Sequence, residues 1–191
     1  MTDFSPFLDA YGSAIDSQRA SAALLSKYRE ALPEVLLEFW KENGFGGFAR
    51  GLIWIVDPSS LEDGLAEWVP SKKGKTAIPV ARTAFGNIIY WQGAEFTFLD
   101  VHYDRSDTAG SDAEILFGFY LVDKRARKSI LEEPLFKKAL AAHGELTRDE
   151  MYAFGLPLAT GGDEKVKNLV KVAMREQLAI LRSIHRGDPF T

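Results

Sequence analysis

Cysteine is absent from the 191 residues, so neither a disulfide framework nor a thiolate metal site is available. This fits a reducing compartment. No apolar run approaches the ~18 residues of a membrane span. The opening MTDFSPFLDAYG lacks both a basic segment and a long apolar core, so a signal peptide is not expected and the chain reads as cytoplasmic. A chain-wide basic footprint for nucleic acid is missing as well, since the net charge is −4. No glycine is followed by Lys-Ser or Lys-Thr in the frame of a phosphate-binding loop, and no Gly-x-Ser-x-Gly elbow occurs. Internal repeats and low-complexity tracts are also lacking.

What is present is a substantial core. Hydrophobic residues make up 46% of the chain, with 13 Phe and 4 Trp, which excludes disorder over most of its length. The size suits one large domain or two small ones. Charge is unevenly spread. Residues 57–114 carry 10 acids against 5 bases, whereas residues 115–191 carry 10 acids against 13 bases. An acidic middle repels nucleic acid and attracts a basic partner.

The stretch FWKENGFGGFARGLIWIVDP is the most informative in the chain. It reads as a helix ending at Asn43-Gly44, a glycine cluster, then an apolar strand Leu52–Val56 stopped by Asp57-Pro58. A dinucleotide loop needs the reverse order, with a strand before the glycines and a helix after. The glycines therefore read as a bend between helix and strand.

Elsewhere, helical spacing predicts helices over 3–11, over Ser21–Leu32 and from Pro33 to Asn43. A further helix is expected from Ser59 or Ser60 to Trp68. Ile78–Thr83, Asn87–Trp91 and Glu95–Tyr103 read as a three-strand meander with glycine turns. DRSDTAGSD at 104–112 reads as a polar loop and the domain boundary. Beyond it, Asp112 is expected to cap a helix, Pro134 to open another, and Asp163 or Glu164 to start a long helix through Ile184, with the tail from Gly187 frayed. The fold class is α+β: an antiparallel sheet flanked by helices over 1–105, followed by a smaller, mainly helical unit over 112–187.

Few residues invite a chemical role. Asp100, His102 and Asp104 alternate at a strand end, which would put them on one sheet face as metal ligands or a hydrolytic group, although a polar, solvent-facing strand edge is the stronger explanation. Lys124–Lys128, with Lys165, Lys167, Lys171 and Arg175, could form a basic face, yet no aromatics interleave them. His143 and His185 sit near helix ends. Paired acids such as Glu132-Glu133 read as helix-terminus residues. No cofactor is expected.

Two separated stretches carry a resemblance. The first is the glycine segment above with PVARTAFGNIIYW at 79–91. The second is LTRDEMYAFGLPLATGGDEKVKNLVKVAMREQLAILRSI at 146–184. Together they resemble a GAD-like domain followed by its small C-terminal companion. The pairing is similar to immunity proteins of bacterial type VI secretion systems, related in style to the SUKH superfamily. On that resemblance Trp40, Gly44, Trp54, Pro58, Gly86, Trp91, Met151, Tyr152, Pro157 and Gly162 are scaffold residues. The resemblance implies no catalysis of its own and one partner, a cognate toxin, commonly a nuclease such as a DNase effector. It names no interface. Charge complementarity to a nuclease then selects Glu62, Asp63, Glu67, Asp100, Asp104, Asp107 and Asp112, with Trp68 and Tyr103 as aromatic anchors. The competing readings are a metal-dependent hydrolase built on Asp100, His102 and Asp104, a nucleic-acid-binding regulator, and a general protein-interaction module.

Overall fold

A computed structural model describes residues 4–187; the terminal tail expected to fray lies mostly outside these. Seven strands form one antiparallel sheet whose spatial order follows the chain: β1 (Ile15–Gln18), β2 (Phe45–Phe48), β3 (Ile53–Ile55), β4 (Ile78–Thr83), β5 (Ile88–Trp91), β6 (Phe96–Asp100) and β7 (Arg105–Gly110). Helices α1 (Ser5–Tyr11), α2 (Ala22–Tyr28), α3 (Glu34–Asn43) and α4 (Glu62–Trp68) interrupt this meander. The second half adds a π-helical segment (Ile115–Tyr120), α5 (Lys124–Ser129) and α6 (Glu133–His143). It ends with a hairpin of β8 (Glu150–Phe154) and β9 (Leu169–Ala173), then α7 (Met174–Arg186). The α+β class and the three-strand meander at its centre are as the sequence predicts.

Four elements differ from the sequence reading. The glycine cluster is not only a bend: Phe45–Phe48 is strand β2, buried at every position. A Cβ on Gly47 would lie 2.9 Å from the Trp54 ring, so this strand can cover that indole only with glycine there. Gly44 does make the bend, with φ +71° after α3. Polar Ile15–Gln18, with no strand pattern of its own, pairs with β2 as an edge strand. The supposed loop at 104–112 contains β7, which pairs with β6 from Asp100↔Arg105 to Phe96↔Gly110. An edge strand needs one covered face at most, so its polarity hid it.

The long C-terminal helix is the fourth difference. Only Met174–Arg186 is helical, and Leu169–Ala173 is strand β9, paired with β8 through Met151↔Val172. Leu169, Val170 and Val172 include two β-branched residues that prefer a pleated surface. The helical half keeps its face, burying Met174, Leu178 and Leu181. It packs against α4, with a Leu178 methyl 3.8 Å from where a Gly64 Cβ would stand.

The core is continuous across the chain. Phe117, from the π-helical segment, reaches Phe4, Phe7 and Phe39 with ring centroids 5.2–5.3 Å apart. Tyr152 donates its backbone N–H to the Ala84 carbonyl at 2.9 Å. Arg82 is buried in β4, lies 4.7 Å over Trp54 and donates to the Thr83, Thr147 and Arg148 carbonyls. The β6–β7 turn lies beside the residue before α6 and the loop after β8, with Tyr103 bonded to Glu164.

Candidate functional site

An acidic cleft of about 420 Å³ opens where those three segments meet. The end of β6 supplies Asp100, the following turn His102 and Tyr103, and β7 Arg105 and Asp107. The second half supplies Tyr120, Glu132 before α6, and Glu164 from the loop between β8 and β9. Four carboxyl groups thus face one guanidinium.

Local geometry fixes each group. Asp100 folds back on the turn, its Oδ1 accepting the N–H of His102 at 3.0 Å and of Tyr103 at 3.2 Å. Its Oδ2 stays 3.9 Å from Arg105, which also stands 3.7 Å from Asp107 and is 67% exposed. The Tyr103 hydroxyl donates to Glu164 Oε1 at 2.7 Å, which holds the phenol pKa up at about 12. The ring itself is 51% exposed, so it forms an open rim.

His102 is 3% exposed, its Nε2 is 2.8 Å from the Phe85 carbonyl, and its ring stands edge-on to Phe154. Nε2 therefore carries the proton, and Nδ1, an acceptor in that tautomer, is buried without a partner. Burial pushes this imidazole below its ordinary range.

Glu132 is the most perturbed acid. Its backbone sits in the left-handed region (φ 52°, ψ 38°), and its carboxyl group makes no cap bond. Burial, then the neighbouring Glu164 and Asp100, push its pKa up to about 7. The folded value lies above the unfolded one, so this carboxyl costs nothing below pH ~4.5, its penalty grows as pH rises from there to about 7, and it is constant above that. Glu132→Gln is expected to be more stable than wild type at pH 8 by roughly 2–3 kcal/mol, with the gap closing at pH 4.5. Urea unfolding at both pH values measures this; an equal gap at the two would contradict it.

The structure divides the sequence-selected acids among several places. Asp100, Tyr103 and Asp107 share the cleft. Asp104 instead turns away at φ +47° and pairs with Arg182 at 3.2 Å. Arg182 also donates to the Glu67 carbonyl and lies over Trp68, while Glu67 pairs with Arg186. Trp68 is 5% exposed, so it offers no open anchor. Glu62 binds Lys27 and Tyr28 at 2.9 and 2.7 Å, beside Asp63 on a separate pocket of about 830 Å³. Asp112 accepts the Ile115 N–H, as expected of a cap.

Asp100, His102 and Asp104 do not form one face, because β6 ends at Asp100 and the chain turns. Among the described residues no group of three or more His, Asp or Glu is arranged to hold a metal ion. Several of the candidate bases already have partners. Arg127 pairs with Glu133, Lys165 and Lys167 with Asp163, and Lys171 with Glu150, while Arg175 donates to the Ser60 carbonyl. His185 is held by the Val101 carbonyl. Glu132 and Glu164 are the cleft residues that sequence reasoning passed over. Glu133, which ion-pairs with Arg127 and Lys137, fits the helix-terminus explanation that Glu132 does not.

Comparison with known proteins gives two family matches. The profile of the GAD-like domain matches residues 2–103, and that of the C-terminal region of the type VI secretion immunity protein Tdi1 matches residues 116–185. No curated protein matches. Among solved structures, Atu4351 from Agrobacterium tumefaciens superposes with a TM-score of 0.74 at 18% identity, over 94% of this chain and 88% of that one. At that identity the likeness speaks for the fold. Among the described residues no helix is long and apolar enough to cross a membrane.

Proposed function

The chain belongs to the GAD-like domain family, and from that premise we propose that it is a cytoplasmic immunity protein that neutralises a nuclease toxin of a type VI secretion system by occluding its active or DNA-binding site. The observation that carries the reading is the match of residues 116–185 to the Tdi1 immunity protein, directly after the GAD-like domain. Residues 1–105 and 112–187 are taken as the two units of that pairing. A nuclease presents cations to phosphate, and an inhibitor with clustered carboxylates can occupy the same surface and speed encounter. The acidic cleft, with the exposed Tyr103 ring on its rim, supports that part of the reading.

The inhibitor role needs no catalysis. The metal-hydrolase alternative finds little support, since Asp104 is committed to Arg182 and His102 Nε2 to a backbone carbonyl. The test is co-expression with a candidate nuclease toxin of a type VI secretion system. Co-purification as a stable complex, and loss of DNA cleavage at equimolar inhibitor, is the expected result. Full cleavage in the presence of excess inhibitor would overturn the reading. A toxin that is neutralised but cleaves no nucleic acid would retain immunity and remove the nuclease.

A further inference from the structure

We propose that the acidic cleft is the seat of a single arginine side chain from the toxin, held by Asp100, Glu132 and Glu164 and flanked by the rings of Tyr103 and Tyr120. This rests on the immunity reading for the identity of the partner, but the site is defined by its own chemistry. Three features point to a guanidinium.

The first is unmet charge. Among the described residues the Glu132 carboxyl group has no hydrogen-bond partner and makes no cap bond, and one Glu164 oxygen accepts from Tyr103. The only cation in the lining is Arg105, which stands at the outer limit of ion-pair distance and remains largely exposed, so it does not fill the cleft.

The second is the buried, unpartnered Nδ1 of His102 in the cleft wall. A lone acceptor of this kind calls for a donor.

The third is shape. The carboxyl groups come from β6, the residue before α6 and the β8–β9 loop, and among the described residues they do not converge closely enough to hold a metal ion. A small hard cation needs converging oxygens, whereas a planar fork of five N–H donors serves separated acceptors. The open Tyr103 ring adds a face on which a guanidinium stacks. A lysine would supply charge at one point only.

Binding also carries a pH signature. The charged and titratable groups that line the cleft with Glu132 are Asp100 and Tyr103 from β6 and its turn, Arg105 and Asp107 from β7, Tyr120, Glu164 and His102, and burial holds the last of these below its ordinary range. Glu132 must lose its proton to receive a cation, so affinity rises as pH passes through about 7.

The experiment uses the whole protein in two arms. In the first, N-acetyl-arginine methylamide is titrated at pH 6 and pH 8 and followed by NMR, against the matching citrulline and lysine amides. Saturable shifts at His102 and Tyr103 are expected with the arginine amide, tighter at pH 8, and weaker with the lysine amide. Citrulline, which is uncharged, should give none. Glu132→Gln should abolish the pH difference, and Arg105→Gln should tighten binding several-fold by removing the internal competitor. An equal response to citrulline, or none to arginine, would overturn the proposal.

In the second arm, wild type and the Glu132→Gln/Glu164→Gln double variant are compared for toxin affinity. A loss of roughly 100-fold is expected, the order found when partners of desolvated interfacial charges are removed. Unchanged affinity in a variant with an unaltered circular dichroism spectrum would overturn the cleft as the toxin's seat while leaving immunity standing. Arginine-amide binding by a wild-type protein that ignores the toxin would do the reverse.

Discussion

Replacing Phe117 with alanine is expected to lower the unfolding free energy by about 4 kcal/mol, within the range for emptying a buried aromatic site. Phe117 is fully buried and packs against Phe4, Phe7 and Phe39 together. Its neighbours cannot collapse into the space freely, because Phe39 and Phe7 are also fixed by Phe48. The loss therefore includes the cavity as well as the transferred area. For a chain of this size the midpoint of thermal unfolding should fall by about 10 °C. Phe117→Leu keeps most of the volume and should cost well under half as much. The same two variants report on architecture. Phe117 lies in the second half of the chain and its partners in the first, so one cooperative transition should move as a whole. A Phe117→Ala protein that melts in two separate steps, with the sheet unaffected, would show that this contact does not couple the halves.

Arg82→Ala is expected to cost about 3–4 kcal/mol. Burial lowers the guanidinium pKa to about 9, so it remains charged at neutral pH, with Asp149 and Glu150 compensating at a distance. Among the described residues no carboxylate pairs with it; its donors go to the Thr83, Thr147 and Arg148 carbonyls, and its plane lies over Trp54. Truncation strands those acceptors and opens a space above the indole. Arg82→Met separates the two effects. Its stem still covers Trp54 but offers no donors, so a loss of about 2 kcal/mol is expected. Urea unfolding followed by Trp fluorescence measures both. Since the contacts to residues 147 and 148 hold the segment leading into β8, amide exchange there should quicken in both variants. A methionine variant as stable as wild type would mean that the cost of burying the charge outweighs its hydrogen bonds.

The chain shows why some elements were legible and others were not. The β4–β6 meander announced itself because its residues are apolar, β-branched or aromatic, with glycine between them. Ile15–Gln18 and Arg105–Gly110 did not, because edge strands exposed to solvent need no hydrophobic alternation. Leu169–Ala173 was misread because apolar residues at those spacings also suit a helix, and only its pairing with Glu150–Phe154 settles the choice. Asp100, Tyr103 and Asp107 were reachable from charge, being close in sequence. Glu132 and Glu164 were not, since each looks like an ordinary acid near a helix or in a loop.

The sequence by itself determined the scaffold: a cysteine-free α+β chain, its glycine-bounded strands, and the order of two recognisable segments that place it in its family. These follow from local chemistry, where propensity, turn geometry and apolar periodicity act over a few residues. The tertiary structure alone decided where the charge gathers. It spent Asp104, Glu67 and Glu62 on arginine and lysine partners and gathered Asp100, Glu132 and Glu164 around one cleft. Electrostatic environment is a property of distance and burial in space, and those are set by how distant segments pack.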